Sequence, residues 1–195
     1  RGYPLGAKEK FLEEKGFLAC RNDLKKLMDN HPKSFVLPKD LAIFDGKKRV
    51  EIPVDMLSSK QDLIDKFMVQ DVGSATVKFN TEFLKDAGSI YLKGPAGNFE
   101  DRNFVAGSSG MFRAVAKSKA FSFMGGGHSV TALEKFAKLS DFGYVSLAGG
   151  ALVQFLSGKE LPGVKALERS FNMHDKHFED FCVVGSNTID IGVSV

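Results

Sequence analysis

A chain of 195 residues, 43% hydrophobic and 26% charged, holds enough apolar material for one compact domain or one and a part, and is not the composition of a disordered polymer. Its 27 Lys and Arg are interleaved with 24 Asp and Glu, and a net charge of +3 is too small to point to nucleic acid. No apolar run approaches the ~20 residues of a membrane span, and no charged-then-apolar leader precedes the first helix, so no membrane partner and a cytoplasmic location are expected.

AKEKFLEEKGF (7–17) has the period of a helix, with Gly16 as its stop. RNDLKKLMDNHP (21–32) predicts a second, with Leu24, Leu27 and Met28 on one face and Pro32 beyond its end. SFVLPKDLAIF and KKRVEIPV, separated by Asp45-Gly46, predict two extended pieces around a turn. LSSKQDLIDKF is ambiguous between loop and helical turn. DVGSATVKFNTEFLKDAG has mostly helical spacing and closes at Gly88. Then the pattern sharpens. SIYLKG predicts a strand, GPAGNFED a loop, and the stretch through Phe104, Met111, Phe112 and Val115 a helix. Its AGSSG segment is read as close helix packing. AFSFM predicts a strand before GGG, and HSVTALEKFAK a helix. GYVSLAGG predicts another strand and glycine loop before the helix ALVQFLSG, and LPGVKALERSF a last helix with Pro162 in its first turn. The β-branched FCVVGSNTIDIGVSV reads as an extended tail with a bend at Gly185 and Asn187.

Strand, crossover helix and strand in repetition predict an α/β fold, Rossmann-like, three-layer α/β/α with a mostly parallel sheet. In such a sheet ligands bind at the carboxyl ends of the strands. Three glycine loops fall there: GPAGNFE at 94–100, GGGHS at 125–129 and AGGA at 148–151. Each admits a plain reading, a tight strand-to-helix turn, and a functional one, a phosphate held by backbone N–H groups.

The individual residues carry the same two readings. Gly149 and Gly150 precede a helix whose first turn has no charged side chain, so its N–H groups and partial positive charge suit a phosphate. Gly125, Gly126 and Gly127 let a ligand approach the backbone, and Ser129 can donate its hydroxyl or cap the next helix. Lys93 can pair with a phosphate or snorkel along the surface. Glu100 suits a ribose hydroxyl pair or the dipole of the next helix, and His128 a phosphate or simply a helix N-terminus. Phe99 is expected in the core. Cys20 and Cys182, at opposite ends and without CxxC spacing, are expected as buried thiols and not a disulfide. Four histidines share no ligand spacing with cysteines, so no protein-built metal site is expected. His174 and His177, three apart, are read as an exposed polar turn. No G-x-S-x-G elbow, HExxH or GxxxxGK[ST] is present, and transfer by positioning and electrostatics fits better than covalent catalysis.

The order AGSIYLKGPAGNFE, AFSFMGGGHSVTALEKF, YVSLAGGALVQFLSGKELPGVKAL resembles the C-terminal, nucleotide-binding half of phosphoglycerate kinases. There one strand ends in Asn-Gly-Pro-x-Gly-x-Phe-Glu, another runs into Gly-Gly-Gly-Asp-Thr and a third into Thr-Gly-Gly-Gly-Ala, with Leu-Pro-Gly-Val in a later helix. VLPKDLAIF and DVGSATVKF are similar to the family's Leu-Pro-Val-Asp strand and Asp-Ile-Gly turn, and GYPLG to a Gly-x-x-x-Gly. His128 in place of the aspartate resembles the archaeal branch.

The resemblance covers residues 2–170 and implies a partial C-terminal nucleotide-binding domain over 1–170, with 171–195 a tail packed on it. It implies ATP or ADP as ligand, with Mg²⁺ held mainly through the nucleotide. Phosphoryl passes to or from 3-phosphoglycerate, giving or consuming 1,3-bisphosphoglycerate, in glycolysis or gluconeogenesis. By the same resemblance Glu100 holds the ribose hydroxyls and Leu37 lines the adenine pocket. Gly126, Gly127 and Ser129 surround the outer phosphates, Gly94 opens the first glycine loop, and Gly149 and Gly150 meet the transferring group. The departures are Lys93 for asparagine, Asn98 for valine, His128 for aspartate, and Leu147-Ala148 for Thr-Gly. The family's Gly-Gly-Ala-Lys loop and its N-terminal domain have no counterpart in the sequence, so a piece of a kinase is expected, inactive alone and prone to self-association. A non-catalytic nucleotide- or phosphometabolite-binding module and a purely structural α/β domain remain as alternatives.

Overall fold

The structure is a computed structural model that describes residues 2–173, the side chains of His128 and Met173 excepted. The chain divides into two compact units, residues 1–88 with 95–120 and residues 89–94 with 121–195.

In the first unit, α1 (Ala7–Glu14) ends at Gly16, which adopts φ +72 while its N–H bonds the Glu13 carbonyl at 2.8 Å. A left-handed glycine closing the last helical turn is what the sequence predicts. Then α2 (Arg21–Asn30) follows, but Leu24 and Leu27 on its apolar stripe stay 48% and 46% exposed and contribute no core. Strands β1 (Asp40–Phe44) and β2 (Arg49–Pro53) form the expected hairpin. Its turn is held by Asp45, whose carboxylate accepts the N–H groups of Lys47 and Lys48. Ile43, Ile52, Leu57, Ile64 and Val69 make the core beneath it, Ile64 coming from α3 (Gln61–Lys66) inside the segment that was ambiguous from sequence.

A two-residue strand, β3 (Asp71–Val72), then pairs antiparallel with β1, giving the order β2-β1-β3. Next, α4 (Ser74–Phe83) starts on Gly73 and is capped from a distance. Buried Asp40 accepts the N–H groups of Ala75 and Thr76 and the Thr76 hydroxyl, so a carboxylate from β1 satisfies the orphan donors of α4. The last helix of this unit, α5 (Val105–Lys117), packs on α4. A Cβ at Gly110 would overlap Val77, which explains AGSSG as close helix packing.

In the second unit, β4 (Ser89–Leu92), β5 (Phe121–Gly125) and β6 (Tyr144–Ser146) form a parallel sheet in that order. Helices α6 (Gly127–Phe136) and α7 (Gly149–Leu156) follow β5 and β6 directly, and α8 (Pro162–Met173) closes the described chain. Met124, Ala132 and Leu133 are fully buried here.

The α/β expectation holds, and the parallel sheet is β4-β5-β6. The first unit differs because a hairpin of four residues between β1 and β2 leaves no room for the crossover that parallel pairing requires. Cys20 is an exposed free thiol, against the expectation of burial; it is the last residue of a short 3₁₀ turn, and its Sγ donates to the Phe17 carbonyl at 3.2 Å. The expectations for His174, His177, Cys182 and the tail fall outside the described residues, and α8 runs three residues past the boundary expected at 170.

Candidate functional site

Parallel pairing places the carboxyl ends of β4, β5 and β6 at one edge of their sheet, and with them Lys93-Gly94, Gly125–Gly127 and Leu147–Gly150. The triple glycine is scarcely a loop. Gly125 is the last residue of β5, Gly126 the cap and Gly127 the first residue of α6, so the helix starts two residues before Ser129.

Each glycine has its own reason. Gly126 sits at φ +106, which side chains rarely adopt, and its N–H donates to the Ser146 carbonyl at 2.9 Å. A Cβ on Gly149 would lie 3.0 Å from the Gly126 Cα, so the starts of α6 and α7 approach closely through bare backbone. A Cβ on Gly125 would press on Leu152 Cδ2 at 2.9 Å and Tyr91 Oη at 3.1 Å, so protein packing fills that space. Gly127 and Gly150 are different: both are exposed, and a Cβ on either would meet nothing within 4 Å among the described residues. Neither packing nor backbone angle asks for glycine there.

These two helix starts carry first-turn N–H groups that helical bonding leaves over. In α6 the first helical bonds run from Ser129 and Val130 to the Gly126 carbonyl, ahead of which lie the N–H groups of Gly127 and His128. In α7 the Ala148 and Gly149 N–H groups are taken by the Ser146 hydroxyl and the Leu147 carbonyl, and those of Gly150 and Ala151 follow. No acidic side chain stands in either first turn, so both helix dipoles present their positive ends unopposed. Lys93 is exposed just past β4.

Ser129 departs from expectation. It is 2% exposed, accepts the Gly94 N–H at 2.7 Å and donates to the Gly125 carbonyl at 3.0 Å. Its hydroxyl therefore ties the end of β4 to the end of β5 and does not cap α6. The role expected for the His128 side chain lies outside what is described.

Leu37 and Glu100 belong to the other unit. Leu37 is 40% exposed on the approach to β1. Glu100 is exposed, and its helix-dipole reading fails: α5 starts only at Val105, and the cap of the preceding 3₁₀ turn is Asp101, which accepts the Asn103 N–H at 2.9 Å. Phe99 beside it is buried, as expected. Asn98 is committed to Gln70, with its N–H on the Gln70 carbonyl at 2.8 Å and its Nδ2 on Gln70 Oε1 at 2.9 Å.

Sequence reading missed the group beneath this loop. Asp71, 3% exposed, receives Arg49 Nη1 at 3.0 Å, the Gly107 N–H at 3.0 Å and the Val72 N–H at 2.9 Å. Burial pushes its carboxyl above the ordinary 3.8, and those donors offset only part of the effect. For Glu51 burial also acts upward, but the Ser74 hydroxyl and N–H with the Arg49 guanidinium together hold it below its ordinary 4.5. Only the DVG turn hinted at Asp71. Its partners lie 22 and 36 residues away, where no local pattern reaches.

Residues 1–159 match the family model described as phosphoglycerate kinase. The chain belongs to the phosphoglycerate kinase family. It is 38% identical over 172 residues to the phosphoglycerate kinase of Pyrococcus furiosus, covering 88% of this chain and 41% of that protein. With that of Methanothermus fervidus it shares 36% over 168 residues, 86% of this chain and 39% of the other. Both sources are archaeal, as His128 suggested. Among solved structures, Pyrococcus horikoshii phosphoglycerate kinase superposes with TM-score 0.77 at 31% identity, covering 89% of this chain and 42% of that one. The Coxiella burnetii phosphoglycerate kinase gives 0.68 at 32%, covering 85% and 42%. The chain thus spans about two fifths of the length of the relatives it matches.

Proposed function

We infer that this chain supplies nucleotide-binding elements for reversible phosphoryl transfer between ATP and 3-phosphoglycerate, the products being ADP and 1,3-bisphosphoglycerate. The observation that carries the reading is the pair Gly127 and Gly150, two exposed helix-start glycines with open space where a Cβ would stand. A phosphate oxygen is the ligand atom that such a space, beside N–H donors and left empty by glycine, receives best. In this reading the N–H groups of Gly127 and His128 at the α6 start bind the outer phosphates, Gly126 leaving the approach clear. The N–H groups of Gly150 and Ala151, with Gly149 bare beside them, stabilise the charge on the transferring group, Lys93 adds a point charge, Glu100 holds ribose hydroxyls and Leu37 meets the base.

No three His, Cys, Asp or Glu side chains come together as a metal cage among the described residues. Mg²⁺ fits as an ion carried by the nucleotide phosphates, whose charge it neutralises when bound. The chain's own work is to place N–H donors and exclude side-chain bulk. No helix among the described residues is long and apolar enough to cross a membrane.

In-line transfer needs donor and acceptor held within about 3–3.5 Å, and nothing described here makes a basic cradle for phosphoglycerate. The chain alone therefore binds ADP weakly without turnover, and the outer edges of β4 and β6, which no further strand among the described residues pairs, favour self-association. Calorimetry with ADP, an assay with ATP, Mg²⁺ and 3-phosphoglycerate, and the mass in solution test this. Turnover by a clean monomer, or no ADP binding at all, overturns it.

A further inference from the structure

Glu100 is an exposed carboxylate on a loop, yet every backbone segment around it is pinned. Ser108, fully buried, accepts the N–H groups of Ala96 and Gly97 at 3.1 and 3.3 Å. Asn98 is held twice by Gln70, the Phe99 ring is buried, and the Asp101 carboxylate caps the turn. Behind these stands Arg49. Its Nη1 donates to Asp71 Oδ2 at 3.0 Å and to the Asn103 carbonyl at 2.8 Å, its Nη2 to the Val72 carbonyl at 2.7 Å, and its Nε to Glu51 Oε1 at 3.2 Å. A Cβ at Gly97 or at Gly107 would overlap the Asp71 carboxylate, so Asp71 is clasped between the two ends of the Glu100 loop.

A buried ion pair is weak support for stability, because desolvation offsets most of its attraction. What a guanidinium forked over two backbone carbonyls and two carboxylates does well is fix their geometry. We propose that Arg49 and Asp71 are positioning residues for Glu100, holding the loop 95–107 so that its carboxylate meets ribose hydroxyls without an ordering cost. The inference rests on the reading of Glu100 as a ribose-binding residue.

Calorimetry with ADP and with 2′,3′-dideoxy-ADP separates the two. The unsubstituted chain prefers ADP, and Glu100→Gln abolishes that preference. Arg49→Lys keeps the charge but loses the fork, and is expected to weaken ADP about fivefold while leaving dideoxy-ADP unchanged. Added to Glu100→Gln, it has no further effect on either nucleotide. Gln70→Ala cuts the exposed tether and spares the buried pair. It shifts ADP alone in the same direction, and decides the matter should Arg49→Lys fail to fold. Equal loss for both nucleotides, or none in either variant, overturns the proposal while Glu100 keeps its role. If Glu100→Gln itself leaves the preference for ADP intact, the ribose reading falls and the proposal with it.

Discussion

Glycine means different things in the two units. In the antiparallel one, Gly73, Gly97 and Gly107 are required by protein atoms: a Cβ on the first would overlap the Asp40 carboxylate, and on the other two that of Asp71. In the parallel one, Gly127 and Gly150 face open space among the described residues. The first set marks where buried carboxylates brace the backbone, the second where the backbone is left bare. Glycine content alone does not separate the two sets; what the missing side chain would touch does.

The contrast is most easily broken at Gly107. Gly107→Ala drives a methyl into the Asp71 carboxylate and to within 2.8 Å of Val72 Cγ2. A loss of about 2–3 kcal/mol in urea unfolding is expected, and a neutral result would mean that the brace yields. Next is Lys93→Met in the parallel unit. It should cost about 1–2 kcal/mol of ADP affinity if the ammonium meets a phosphate, and no change returns Lys93 to a snorkelling surface residue.

Gly150→Ala should do the reverse of Gly107→Ala. In open space at a helix start it is expected to stabilise folding by about 0.4–1 kcal/mol while weakening ADP. A destabilised variant would show that the space is not open. The smallest effect belongs to pH. Glu51, held below its ordinary 4.5, contributes stability above that pH and loses it as pH falls through the lowered value. Asp71, pushed up by burial, contributes below 3.8 and loses that as pH rises through its raised value, so the two partly offset. Glu51→Gln should therefore flatten the acid limb of the unfolding midpoint only slightly; a steeper limb would reverse the sign assigned to Glu51.

Local patterns revealed what local physics determines. The stop at Gly16, the turn at Asp45-Gly46 and the βα units around Gly94, Gly125 and Gly149 each depend on neighbours a few residues apart, and each was legible. The antiparallel β3, two residues long, exists because β1 offers it an edge, and carries no period of its own. Arg49 reaches Asn103 across 54 positions, and the buried Ser129 hydroxyl reaches Gly94 across 35, contacts that only the fold creates. For that reason the glycine loops could be found in the sequence while the groups bracing them could not.

The bond from the Gly126 N–H to the Ser146 carbonyl links the start of α6 to the end of β6, three residues before α7, through main-chain atoms alone. Change at 146 has little purchase on it, whereas any side chain at 126 would be strained by its φ of +106. Drift at either position alters side chains, and among the twenty amino acids only proline at 126 removes the donor outright. The link between α6 and β6 is thereby sheltered from side-chain change at neighbouring positions such as 128 and 148, which can vary without removing either of its atoms.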